Sequence, residues 1–415
     1  MGTAAVAVLV AITGLSQFYR SCLGVIAPEL TRDLGLTPED LGHANSAFFL
    51  AFALLQIPVG LAFDRFGPRR VVAAFTAIAV AGGLWQATVT SAAELAAARF
   101  VLGIGCSASF MGAVTLAALW VSGAQLSTVL SRVFALSQVG TFLAATPLAL
   151  AESAVGWRWA FAAVALMTAA AGLWFYACIR DRPPGAAPAQ LHDSLADVLR
   201  GLAEVWRSPG LPSLLAIHTF AYASMATVLG LWAGPYLAHV YGMDIATRGH
   251  VLLAMSLAQL VGILAYGPLD RLFDTRKWIV VPGAVASVLT LGALALVPGL
   301  PLAAAVALLI AFTGITSYSV VIVAHGRSLF PDHLVGRGVT TVNIAQVIGL
   351  TVLPLLSGAI IGAFPAPGAI PPEIAYRSAF GAIGLTLATG LLVYALFAKD
   401  AKPSVAAAET RAPSR

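Results

Sequence analysis

An arginine stands alone in the stretch SQFYRSCLGVIAPEL, residues 16–30, with apolar sequence on both sides. A guanidinium keeps its charge at any accessible pH and presents a rigid fork of donors, so its natural chemistry is bidentate capture of a carboxylate or phosphate. At membrane depth such a group costs roughly 2.5–3.5 kcal/mol on insertion scales, which makes Arg20 a functional candidate by default. Of the 18 Asp and Glu residues only Glu152 reads as lying within a span, and that near its outer end, so no acid partner for Arg20 is evident. Its depth also argues against snorkelling. Tyr19, Gln138, Tyr222, Tyr318, Asn343 and Gln346 are the other polar side chains read at depth, and with Arg20 they form the candidate substrate-binding set. Each also suits a hydrogen bond between helices. His218 is the candidate for proton coupling, because imidazole titrates near neutrality.

The elements that must hold these groups are membrane helices. The chain has 415 residues, 59% hydrophobic and 10% charged, against about 25% charged in soluble domains. Mean hydropathy is +0.90. Windows long enough to cross about 30 Å of hydrocarbon fall near 4–29, 42–63, 71–89, 93–119, 128–150 and 158–179, and again near 211–239, 247–267, 278–297, 301–324, 338–363 and 374–397. The first run lacks a basic leader and a cleavage site, so it reads as a retained helix rather than a signal peptide. The expected fold is all-α, twelve transmembrane helices in two six-helix pseudo-repeats. Residues 1–180 and 211–398 form the bundles, 181–210 a cytoplasmic linker with an amphipathic helix (Leu195, Val198, Leu199, Leu202, Val205, Trp206), and 399–415 a disordered tail.

Basic residues concentrate on one side, leaving Arg32, Arg158, Arg248 and Arg377 on the other. The positive-inside rule then places both termini in the cytoplasm, and the net charge of +5 follows from that asymmetry without nucleic acid. The cysteines Cys22, Cys106 and Cys178 sit in apolar sequence without ligand spacing, so buried inert thiols are expected and neither a disulfide framework nor a metal. GLAFDRFGPRR (60–70) and GPLDRLFDTRK (267–277) echo each other between halves. Such a repeat implies rocking around a central cavity with substrate held near the midplane.

These features resemble the major facilitator superfamily over essentially the whole chain. Gly60, Asp64, Arg65, Gly67, Arg69 and Arg70 match its loop motif between second and third helices, Asp270 and Arg271 the echo, Arg99 with Gly103 and Gly105 its fourth-helix motif, and GWRWAF (156–161) the start of its sixth helix. The resemblance implies that the loop residues latch the cytoplasmic side, with Gly60 and Gly67 allowing close approach and a tight turn and Asp64 accepting from a helix N-terminus. A bare topology anchor is the simpler alternative. Arg99 leans toward a structural tie.

The first helix is similar to that of organophosphate and organic-anion transporters of this superfamily, with Arg20 eight residues before Pro28 and the loop LGLTPEDLG (34–42). LWAGPYL (231–237), with Trp232, Pro235, Tyr236 and Leu237, is close to their seventh-helix pattern. The second arginine of the phosphate-ester exchangers falls on Ala226, so a single-charged anion, a carboxylate, is the better match. The drug-antiporter pattern is not found at 137–150, nor a nitrate-carrier signature. The reading is therefore a secondary transporter of a small organic anion in a bacterial inner membrane, working by alternating access as proton symport or exchange; facilitated diffusion stays open. Efflux of a hydrophobic or cationic compound is the alternative. An enzyme is disfavoured, since the spans hold no paired acids, His cluster or Ser/Lys constellation, and a phosphate-binding loop for ATP is missing. No cofactor is expected; the partners are the substrate anion, protons if coupled, and membrane lipid, with the protein a monomer.

Overall fold

The computed structural model describes residues 3–121, 123–181, 203–331, 334–365 and 370–404. Among these every regular element is helical. Ten helices are long and apolar enough to cross a membrane singly, and the pair Pro38–Leu54 and Gln56–Phe66, bent by 45°, adds one more. The apolar run Thr128–Cys178 has 51 residues, about 77 Å of helix, more than twice the hydrocarbon thickness. Within it Gly156 takes φ 79° and ψ 158°, a conformation open to glycine and strained for side-chain-bearing residues. The run is thus two spans joined at Gly156, which brings the total to the twelve expected. The next residues fix that corner: the Trp157 indole donates to Asp33 Oδ2 at 2.9 Å, and Arg158 stacks on Trp157 while donating to the Val89 carbonyl.

Two compact units emerge. One comprises the described residues up to 181 together with Gly230–Leu253; the other comprises the described residues 203–229 together with Ala254 onward. The second part of the seventh span and the start of the eighth therefore pack with the first unit, although the internal repeat assigns them to the second bundle. Small residues explain part of this, since a Cβ on Gly234 would run into the Gly24 carbonyl and one on Gly230 would touch Arg20 and Ser21. The seventh span changes unit within a π-helical turn, Val228–Trp232. Turns of this kind widen the hydrogen-bonding ring and occur often at functional sites.

In the first unit the fourth span (Ala92–Trp120) packs on the second and third. Gly103 brings it against the Phe48 carbonyl and Ala51, and Gly105 against Ala79. RFVLGIG is thus a packing motif as much as a polar one. The first span meets the fifth where Gly140 abuts the Gly14 backbone, and the seventh meets the eleventh (Val335–Gly362) where Gly349 abuts the Thr219 carbonyl. Both units reuse one device, backbone against backbone through glycine.

Three sequence expectations need amendment, and one falls largely outside the described residues. Cys178 is exposed, unlike buried Cys22 and Cys106, because it ends its helix. Gly60 makes no close approach among the described residues, a Cβ there meeting nothing within 4 Å. Most of the amphipathic linker helix lies outside the described residues; of its apolar positions Val205 is buried and Trp206 exposed. The tail is not loose from its start. Asp400 accepts from the Thr275 hydroxyl at 2.7 Å and from the amides of Arg276 and Lys277 at 3.0 Å, and Ser404 bonds Asp274. Residues beyond Ser404 lie outside the described set.

Asp400 thereby caps the ninth span, Lys277–Leu296. Burial opposes its ionisation, but the Lys277 amide, the Thr275 hydroxyl and the Arg276 amide outweigh that and hold the carboxyl below its ordinary value of 3.8. A carboxyl depressed on folding stabilises fully above its unfolded pKa, and the contribution is lost as pH falls through the folded one. Asp400→Asn is therefore expected to lower stability at pH 7 by about 0.5–1 kcal/mol, discounting for solvent screening. It should also flatten the loss of melting temperature that the wild type shows on acidification below about pH 4. Thermal unfolding of both proteins from pH 3 to pH 8 checks this.

Candidate functional site

Arg20 stands where the first span breaks. Helix Thr3–Ser21 ends one residue before Cys22 and resumes as Leu23–Leu34. The backbone bond that would close on the Tyr19 carbonyl is released there. Arg99, fully buried, supplies the replacement: its Nη1 donates to the Tyr19 carbonyl at 2.5 Å and its Nη2 to Asn45 Oδ1 at 3.3 Å, while its carbon lies 4.7 Å from the Phe48 ring. Arg99 thus ties the first, second and fourth spans at the level of the break. A buried helix end needs such a partner.

With the backbone held by Arg99, Arg20 is half-buried, its guanidinium 4.3 Å from the centre of the Phe52 ring. The aromatic face lowers the cost of burying the cation. Gln17, three residues earlier and hence on the same helix face, donates to Gln138 Oε1 at 3.0 Å. Gln138 occupies the short break between helices Gly123–Ser137 and Val139–Leu143. Thr13 and Ser137 hydroxyls bond beneath this pair, at the Gly14–Gly140 approach. The first unit therefore gathers Gln17, Arg20, Phe52 and Gln138. Tyr19 is not among them: it is buried and its hydroxyl bonds Thr168 of the sixth span at 3.2 Å.

The second unit holds the remaining candidates. His218 is buried, with Gln346 the polar side chain facing it, and neither ring nitrogen makes a hydrogen bond within normal limits among the described residues. Tyr222, Asn343 and Gln346 are half-buried. Tyr318 is fully buried, its ring against Gly283 and edge-on to Tyr266. It reads as packing. His325 bonds the Tyr394 hydroxyl at 2.7 Å and is buried. No metal-ligand group occurs among the described residues.

The loop motif is built around an acid that sequence reading passed over. Gly67, at φ 80°, turns the chain between the second span and the third, Pro68–Thr88. The Arg69 amide at the N-terminus of that helix donates to Asp181 Oδ1 at 2.7 Å, and the Arg69 side chain donates twice to the Tyr176 carbonyl and stacks on its ring. Asp181 thus does for the third span what Asp400 does for the ninth. Asp64, Arg65 and Arg70 are exposed, and Arg65 lies 5.2 Å from the Phe66 ring. In the echo Asp270 is buried and pairs with Arg276 at 3.3 Å, while Arg271 is exposed.

Comparison with known proteins agrees with this architecture. The sequence profile of the Major Facilitator Superfamily matches residues 9–324 and 214–414. A probable sulfoacetate transporter of Cupriavidus necator is 27% identical over 169 residues, 41% of this chain and 39% of its own length. A D-galactonate transporter of Escherichia coli is 25% identical over 420 residues, 92% of each chain. The chain thus spans well under half the length of the first of these relatives and nearly all of the second. Among solved structures, a bacterial homologue of the human lysosomal transporter Spinster aligns over 95% of this chain and 97% of its own with a TM-score of 0.78 at 16% identity. At that identity the likeness concerns the fold. Twelve spans, the Gly67 turn capped by Asp181 and the Arg99 tie thus meet a profile match over nearly the whole length, and the chain belongs to the major facilitator superfamily of membrane transporters.

Proposed function

We propose that this chain carries a small organic anion bearing a carboxylate across a bacterial inner membrane by alternating access, as proton symport or anion exchange, with both termini cytoplasmic. The observation that carries the reading is Arg20, presented from a helix break over the Phe52 ring with its backbone secured by Arg99. Relatives whose names specify sulfoacetate, galactarate or D-glucarate, tartrate and D-galactonate support the substrate class. Arg20 makes the principal contact and the Gln17–Gln138 pair borders it. Tyr222, Asn343 and Gln346 are the polar contacts offered by the second unit, and His218 beside Gln346 is the candidate proton carrier. Tyr19 and Tyr318 support these by packing.

Melting temperatures of the purified full chain with D-galactonate, tartrate, D-glucarate, sulfoacetate, inorganic phosphate and a quaternary amine test the class. Ligand at 100 times its Kd adds about 2.7 kcal/mol, so stabilisation by the carboxylates is expected. Stabilisation by the amine alone would overturn the reading. That outcome would favour efflux, for which a quinolone resistance transporter of Acinetobacter baumannii, 27% identical over 168 residues, is the supporting relative. The cation at Arg20 argues against it.

The loop motif is proposed as the latch of the transport cycle, with Asp64, Arg65 and Arg70 on the exposed surface and Gly67, Arg69 and Asp181 holding the turn. Asp64→Asn should slow D-galactonate transport about tenfold, a loss of about 1.4 kcal/mol in the cycle, with binding unchanged. Lost affinity at an unchanged rate would sink the latch.

A further inference from the structure

One ion pair in the first unit is poorly matched to its burial. Arg248, in the first turn of helix Ile245–Tyr266, has a side chain only 2% exposed, and Glu29, next to Pro28, has one 12% exposed. Nη2 of Arg248 donates to Oε1 of Glu29 at 2.5 Å. The guanidinium's Nε and Nη1, and the second carboxylate oxygen of Glu29, are buried without a hydrogen-bond partner among the described residues. A buried pair made for stability alone would be bidentate, with the remaining donors satisfied. Here one bond serves a fork built for two.

The surroundings do not complete it. Asp33 is engaged by the Trp157 indole and Arg32, while Glu152 and His239 lie within the electrostatic field of Arg248. Glu29 lies nine residues beyond Arg20, about 13 Å along a helix, so one small anion does not bridge both arginines. On the proposed orientation the pair sits toward the outer end of the first span. It is also part of what holds Gly230–Leu253 to the first unit.

We propose that Arg248 is a second, outer anion subsite and that Glu29 is a built-in carboxylate occupying it when the outer side is closed. An incoming organic carboxylate, able to accept two parallel bonds from the guanidinium, displaces Glu29's single bond and passes on to Arg20. The proposal rests on the anion reading above and adds where the anion is first recognised. Because Glu29 competes with substrate, it lowers the fraction of molecules competent to bind and raises the apparent dissociation constant by that fraction.

The test measures uptake of radiolabelled D-galactonate from the outer face by the full chain, for wild type, Glu29→Gln, Arg248→Gln and Arg248→Lys, with each variant's melting temperature as the folding control. Glu29→Gln should lower KM about fivefold, and Arg248→Gln should raise it at least about tenfold. Arg248→Lys should recover part of that loss. A mere brace is broken alike by removing either partner, so KM shifts of the same sign in Glu29→Gln and Arg248→Gln, or no fall in KM for Glu29→Gln, would overturn the proposal. If the Arg248 variants do not fold, the sign of the Glu29→Gln shift alone decides. Failure of the anion reading is separately visible, since wild type would then neither transport D-galactonate nor be stabilised by any carboxylate, and the outer subsite would fall with it.

Discussion

Arg99→Ala is expected to cost about 3–5 kcal/mol, the loss typical of removing one partner from a buried charged network. For a unit of this size that lowers the melting temperature by about 10 °C or more. Three losses combine. The Tyr19 carbonyl, already without its helical donor at the Cys22 break, is left with only the weak Cys22 thiol donor at 3.5 Å in an apolar surrounding. Asn45 loses its donor, and a cavity opens beside Phe48. Arg99→Lys keeps a charge near Tyr19 but cannot reach Asn45 as well, because a lysine is a single point donor where the guanidinium is a fork. Its loss should be about half as large. Asn45→Ala, which spares the Tyr19 bond, should cost only about 1–2 kcal/mol. Thermal unfolding of the three variants in detergent gives the order Ala, Lys, Asn45→Ala from worst to mildest. An Arg99→Ala protein melting within a degree or two of wild type would remove Arg99 from its structural role.

That tie also explains what was and was not legible in the sequence. Spans, repeat and loop motif could be read because hydrophobic length, turn glycines and clustered basic residues are local signals. The break at Cys22 could not, since SQFYRSCLG carries no proline and its only glycine follows the break; the arginine that replaces the lost backbone donor lies 80 residues away. Gln17 was overlooked although its position three residues before Arg20 puts it on the same helix face. Tyr19, next to Arg20 in sequence, is turned by the helical period toward Thr168 instead. The caps Asp181 and Asp400 were visible in principle, as an aspartate between a basic residue and a proline just past the sixth and twelfth spans. Arg248 and Glu29 are 219 residues apart, and basic-residue counting placed Arg248 only on the outer side, at the start of the span 247–267.

Arg20→Lys is expected to abolish most organic-anion transport, by about a hundredfold or more, with little change in melting temperature. Charge is conserved, so a role limited to long-range attraction would survive the substitution. The fork is lost, and with it the parallel pair of bonds to a carboxylate, which are stronger and more directional than a single ammonium contact. An ammonium also sits differently over the Phe52 ring, being more strongly hydrated than a guanidinium and therefore costlier to hold half-buried. Stability should change little because the backbone at Arg20 is secured by Arg99, not by its own side chain. Flux and D-galactonate binding measured on the same preparation separate the contributions: loss of both places the guanidinium on the substrate, whereas loss of flux with intact binding places it in the conformational cycle. Transport that survives Arg20→Lys undiminished would remove Arg20 from the site, and the anion would then have to be held by neutral groups such as Gln17 and Gln138, at about 1.5–3 kcal/mol for each hydrogen bond to the charged carboxylate.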